Sequence, residues 1–245
     1  MSDFFKYSQY EKFLDELKKK GKISLFKNWN KKKKVFLLRH DIDLDISLAH
    51  KLALIENKKG ICSTYFVLIT SPAYNIFAKK NQILLRAIIK MGHEIGIHFD
   101  PSIYKNRNLN FSLKKEIKIV EYVINQKVKS ISIHEPSIIK KFPNFKNLIN
   151  AYDLEFKKNS FEYYISDSCM NFSNKNIYQF MDKIKYSSCQ ILLHPMHYTK
   201  NGDDYRLICS DKIKRMIKEV EFIFSNNLTY KKVVGNNLLK IVKKK

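Results

Sequence analysis

The four cysteines, Cys62, Cys169, Cys189 and Cys209, stand far apart in the chain. That spacing excludes zinc-knuckle and C-x-x-C redox motifs and leaves buried thiols of a reducing compartment as the simplest reading. No apolar run approaches the roughly 18 residues of a membrane span. The opening Met1-Ser2-Asp3-Phe4-Phe5-Lys6 lacks the basic start, apolar stretch and small-residue cleavage site of a secretion signal, so a cytoplasmic location is expected. Arginine is scarce. Arg39, Arg86, Arg107, Arg206 and Arg215 are the full set in a chain of formal charge +23, and the excess is nearly all lysine. Arginine is the residue favoured for bidentate phosphate and base contacts, so this balance argues against nucleic-acid recognition. It leaves solvated helix faces, with peripheral attraction to anionic lipid or sugar-phosphate groups.

No repeat or low-complexity linker divides the 245 residues, 44% of them apolar. One α/β domain is expected, with a lead-in over 1–34, a core over 35–200 and a C-terminal helix and tail over 201–245. Helices are predicted at Tyr7–Lys20, Asp45–Asn57, Gln82–Met91, Leu113–Asn125 and Ser210–Phe224, with shorter ones at Phe145–Tyr152 and Ile177–Ile184. Strands alternate with them, which implies βαβ units and a parallel sheet or barrel.

Five of these strands end directly on an Asp or His. Val35 to Leu38 runs into Arg39-His40-Asp41-Ile42-Asp43, Glu94 to Ile97 into His98-Phe99-Asp100, and Ser130 to Ile133 into His134-Glu135-Pro136. Tyr163 to Ser166 runs into Asp167, and Ile191 to Leu193 into His194-Pro195. In a parallel barrel all five tips fall at the rim where active sites are built. Asp41 and Asp43, two apart in extended chain, point the same way. Two carboxylates at that range repel unless a cation lies between them, the tension a metal-assisted hydrolase uses. The plainer alternative is that Asp43 caps the next helix and Asp41 is solvated.

His98 and Asp100 repeat the two-apart spacing. His93 lies about 15 Å or more back along the same strand and is excluded as a ligand. His194, with a titration range near neutrality, suits protonation of a leaving amine. His134 is placed to ligate a metal or hold substrate, and Asp167 to orient an imidazole. His50, within a helix, and His197 read as structural or peripheral.

Taken in order, Arg39-His40-Asp41-Ile42-Asp43, Ser63-Thr64-Tyr65-Phe66, Gly92-His93-Glu94-Ile95-Gly96-Ile97-His98, Ser166-Asp167-Ser168 and Leu192-Leu193-His194-Pro195 resemble the NodB-homology polysaccharide deacetylases of carbohydrate esterase family 4. The resemblance covers roughly Val35 to His197. It implies a distorted (β/α) barrel that removes acyl groups from N-acylated sugars with a divalent metal, usually zinc. Asp41 would be the general base, Asp43 and His98 metal ligands, and His194 the general acid, with Arg39 and His134 holding substrate. The family's second metal histidine falls on Ser102, so Asp100 or His134 would complete the shell. Without an export signal the expected substrate is a nucleotide- or lipid-linked sugar precursor of a surface polysaccharide. The competing expectation is a sugar-binding relative that has lost the metal.

Overall fold

In the computed structural model the described residues are 2–30, 34–104, 108–136, 145, 147–152, 162–235 and 238–243. The chain forms two compact units, Met1–Gly202 and Asp203–Lys245.

The first unit opens with helix α1 (Tyr7–Lys20), followed by a short strand β1 (Ile23–Ser24). Then come β2 (Phe36–Ile42), α2 (Ile46–Lys58), β3 (Thr64–Val67), α3 (Lys79–Lys90), β4 (Glu94–Phe99), α4 (Leu109–Ile124) and β5 (Ser130–Ile133). Strand β6 (Ile149–Asn150), β7 (Tyr164–Ser166), the one-turn helix α5 (Ile177–Met181) and β8 (Cys189–Leu193) complete it. The strand order is β6-β5-β4-β3-β2-β8-β7, with β1 beside the start of β2, and every pairing is parallel.

The sheet curls into a half-barrel, and two contacts prove it. Tyr152, just past β6, would lie about 19 Å from β2 in a flat sheet with four 4.8 Å steps between them. Instead its hydroxyl accepts from Arg39 Nη2 at 3.1 Å. Ser132 on β5, three steps from β2, lies 3.4 Å from Asp41.

Strand alternation sorts side chains onto the two faces of this curl. Phe36 and Leu38 face outward onto Tyr10, Phe13, Leu14 and Leu17 of α1. Tyr65, Val67, Ile95, Ile97 and Ile131 pack outward against the apolar faces of α2, α3 and α4. The concave face carries Leu37 and Phe66, against Phe26 and Ala151. Beside them lies a polar set, Arg39, Asp41, Thr64, Glu94, His98, Ser130 and Ser132, all of it buried. Gly96 sits in the same layer. A Cβ there would fall 2.6 Å from the Phe66 ring and from Ser130 Oγ, so only glycine fits.

Most predicted elements are present, α3 and α4 starting three and four residues earlier than expected, and two others differ further. Ser210–Phe224 begins earlier, as α6 (Tyr205–Phe224) of the second unit, because the Asp204 carboxylate accepts from the Leu207 N–H and starts the helix there. Within Phe145–Tyr152, Ile149 and Asn150 form strand β6 instead of a helix. The N–H groups of Ile149 and Ala151 donate to Lys129 and Ile131 of the neighbouring segment, and that edge pairing outweighs a weak helical pattern. The second unit continues with α7 (Leu228–Val233) and α8 (Leu238–Lys243).

Candidate metal and hydrolytic centre

Asp43, His98 and His134 converge at the C-terminal rim from three separate strands. Asp43 Oδ1 lies 3.3 Å from His98 Nε2 and 3.8 Å from His134 Nδ1, and the two ring nitrogens are 3.1 Å apart. The edges of a tetrahedron around an ion with ligands near 2.1 Å are about 3.4 Å. Asp43 Oδ1 is buried with no hydrogen-bond partner among the described residues. A carboxylate oxygen orphaned beside two imidazole nitrogens is a donor set suited to a divalent cation of the zinc type.

The first tip of the sheet is fixed by backbone contacts. Tyr74 Oη donates to the Ile42 carbonyl at 2.6 Å and Ser71 Oγ to the Asp43 carbonyl at 2.7 Å. Asp43 is not a helix cap, since Asp45 takes that place and accepts from the Ser47 N–H. Nor is Asp41 solvated. It is 2% exposed, and Arg39, on the same face two residues earlier, grips it through Nε (2.8 Å) and Nη2 (2.6 Å).

Burial alone would raise the Asp41 pKa, but the guanidinium beside it holds the carboxyl below its ordinary value. Asp43 is also opposed by burial and is pulled well down by His98, His194 and His134. Asp41 Oδ2 stands 3.5 Å from His98 Nε2, so a second carboxylate overlooks the convergence point.

Arg39, expected to hold substrate, is placed instead behind Asp41. It is fully enclosed, bonded to Asp41 and Tyr152, and its charge lies over the Tyr152 and Phe66 rings at 4.8 and 5.5 Å. Burial works against its charge and Asp41 more than restores it. The (i, i+2) spacing of Arg39 and Asp41 was the signal for this pair.

Asp100 does not join the trio. The chain turns into a 3-10 segment at Pro101–Tyr104, and Asp100 Oδ1 accepts from Ser102 N (2.9 Å) and Ser102 Oγ (2.6 Å). The third position of the trio belongs to His134, directly after β5. Glu135 in the left-handed region (φ +44°) and then Pro136 follow it.

Ser132 carries a role its sequence position did not advertise. Its Oγ accepts from His98 Nδ1 at 2.7 Å and donates toward Asp41 Oδ1 at 3.4 Å. With the proton kept on Nδ1, the lone pair of His98 Nε2 faces the trio, as a metal-binding histidine requires.

On the opposite wall His194 Nδ1 donates to Asp167 Oδ1 at 2.6 Å, and its backbone N–H donates to the same carboxylate. His194 Nε2 therefore points into the centre, 3.8 Å from Asp43 Oδ2. Burial would lower the His194 pKa, but Asp167 raises it to about 9, so the ring holds its proton at neutrality. Burial would raise Asp167, yet His194 and His197 keep it at about 2. Of the two readings open for His197, structural or peripheral, the first holds. It is buried, and its Nδ1 donates to Asp167 Oδ2 at 3.0 Å, so it braces the carboxylate that orients His194.

Side-chain exposure grades from floor to mouth, with Asp41 and His98 at 3%, His194 at 14%, His134 at 23% and Asp43 at 26%. His93 lies elsewhere, accepting from the Ser63 N–H and facing the Ala53 carbonyl. His40 points outward from β2 to Glu56.

A parallel half-barrel whose C-terminal rim gathers two carboxylates and three imidazoles defines a candidate centre for metal-assisted hydrolysis. No protein-family model matches the sequence, and no curated protein sequence matches it. Solved structures to which the chain is similar include family 4 carbohydrate esterases and deacetylases, the family its motifs resemble. A family 4 carbohydrate esterase from Bacillus anthracis is 20% identical over 83% of this chain and 86% of that one, with a TM-score of 0.43. The catalytic domain of a peptidoglycan N-acetylglucosamine deacetylase from Eubacterium rectale is 16% identical, over 74% and 85%, at 0.47. A family 4 pseudoenzyme from Bacillus anthracis is 14% identical, over 76% and 63%, at 0.44. The chain spans 63 to 65% of the length of the structures of that pseudoenzyme and its mutants. The likeness is one of fold, and the chemistry rests on the residues of the site itself.

Proposed function

We propose that the chain is a divergent family 4 carbohydrate esterase that removes an acyl group, acetyl first among them, from an N-acylated sugar with the help of a divalent metal. The observation that carries this reading is the convergence of Asp43 Oδ1, His98 Nε2 and His134 Nδ1, flanked by Asp41 on one side and His194 on the other. Asp43, His98 and His134 would hold the ion, zinc by the donor set. Once bound, it supplies Lewis-acid polarisation of the amide carbonyl and an acidified water.

The chain's own groups do the rest. Asp41, kept ionised by Arg39, takes the proton of the attacking water. His194, already protonated and aligned by Asp167, gives its proton to the departing sugar nitrogen, which leaves acetate and a free amine. A strongly basic chain favours phosphate-bearing substrates, so a nucleotide- or lipid-linked amino sugar of polysaccharide biosynthesis, met in the cytoplasm, is the substrate proposed.

The test pairs elemental analysis of the purified protein with acetate release from a panel of N-acetylated sugar nucleotides and lipid-linked sugars. One equivalent of metal is expected, lost on His134→Ala and retained on Asp100→Ala, with activity following the metal. Protein that binds these sugars without metal or acetate release would instead be the non-catalytic relative.

A further inference from the structure

The second unit carries an exposed surface that the hydrolytic centre does not use. Along α6, Ile213, Val220 and Ile223 fall on one stripe at helical spacing and are 57, 44 and 71% exposed. Phe222, on the other side of α6 from that stripe, and Leu228 and Val233 of α7 are more open still, at 76, 74 and 78%. Buried apolar area is what holds a helix in place, yet of the twenty residues of α6 only Ile208 and Lys212 are buried. Clusters of large apolar side chains left open to water mark interaction sites.

Beyond Glu221 the charge has one sign. Residues 222–245 contain six lysines and no acidic residue, and Lys231, Lys232 and Lys240 are exposed. Aromatic and aliphatic side chains interleaved with lysine make a surface that enters the headgroup region of an anionic bilayer, the apolar groups inserted and the ammonium groups on lipid phosphate. No described helix is long and apolar enough to cross a membrane, so the mode is attachment from one side.

We propose that the Asp203–Lys245 unit docks the protein on a lipid surface rich in anionic headgroups. A second copy of the chain fits less well, because a two-fold contact through this patch would set lysines against lysines. Nucleic acid would use the lysines and leave Phe222, Leu228 and Val233 in water. The inference is independent of the hydrolytic reading, since it uses none of the same residues.

The experiment is co-sedimentation of the full chain with phosphatidylcholine vesicles, with and without about 30 mol % phosphatidylglycerol. Binding to the anionic vesicles at least tenfold tighter than to the neutral ones is expected. Lys231→Gln with Lys232→Gln should weaken it roughly thirtyfold at low salt, at about fivefold per lysine. Phe222→Ser with Leu228→Ser should abolish what binding persists in high salt, with an unchanged circular dichroism spectrum and melting temperature. A Phe222→Trp variant should show a blue shift of its added emission on anionic vesicles. Equal binding to both vesicle types, or none, overturns the proposal. So does a dimer in light scattering that Phe222→Ser with Leu228→Ser returns to monomer while vesicles are ignored, or tight retention of a DNA probe by protein that leaves the vesicles free.

Discussion

Replacing Asp41 with Asn tests the centre and the fold together. In the native protein Arg39 is fully buried, and two of its N–H groups reach the two oxygens of Asp41. Asn offers one oxygen and one NH2, so one guanidinium N–H would face a donor and the buried positive charge would lose its counterion. Removing one partner of a buried ion pair costs about 3–5 kcal/mol. For a chain of this size each kcal/mol moves the melting temperature by about 2–4 °C, so Asp41→Asn should melt roughly 6–20 °C lower.

The same variant should lose acetate release while still binding about one equivalent of metal at temperatures where it is folded, since Asp43, His98 and His134 remain. Adding Arg39→Met removes the stranded charge and should recover much of the melting temperature with none of the activity. Circular dichroism melts and elemental analysis read both effects. If Asp41→Asn melted within about 2 °C of the wild type, where roughly 6–20 °C is expected, the buried pair and the base it maintains would not exist as described.

Two further outcomes probe the scaffold. Gly96→Ala would drive a methyl group to 2.6 Å from Phe66 and Ser130 on the concave face, and should cost about 1–3 kcal/mol in urea unfolding; a variant as stable as the parent would mean that layer is looser than its geometry. Behind the sheet the buried Glu56 carboxylate accepts from Tyr10 Oη, His40 Nε2, Ser63 Oγ and Tyr65 Oη. Burial would raise its pKa, but His40 and these donors hold it at about 2. A depressed carboxylate stabilises the fold above its unfolded value near 4.5 and loses that contribution as pH falls toward 2, up to about 3 kcal/mol in all. The stability gap between wild type and Glu56→Gln should therefore narrow on acidification across that window; a gap constant from pH 6 to pH 2 would show that Glu56 is not held as an anion.

Much of this protein is legible in its residues because the decisive signals are local. Short apolar runs that end on Asp or His identify β2, β4, β5 and β8 and the rim they share, and period-two alternation is enough to put Arg39, Asp41 and Asp43 on one face. The helices whose apolar stripes recur at 3.6 residues are where they were expected, with starts up to five residues early where a cap or turn residue sets them. Segments of two residues, β1 and β6, carry no periodicity to read. They exist because a neighbouring strand has unpaired backbone groups to satisfy.

What tertiary structure decided is which of the aligned groups meet. Asp100 by its spacing and His134 by its strand tip were both candidates to join His98, with Asp100 preferred. The turn at Pro101 commits Asp100 to Ser102, and the curl of the sheet swings β5 inward until His134 is 3.1 Å from His98. The same curl joins Ser132 to Asp41 and Tyr152 to Arg39 across three and four inter-strand steps. Alternation is a property of one strand and can be counted along the chain. Curvature sums small rotations over many strands and is set by packing on both faces, so no single stretch of sequence contains it.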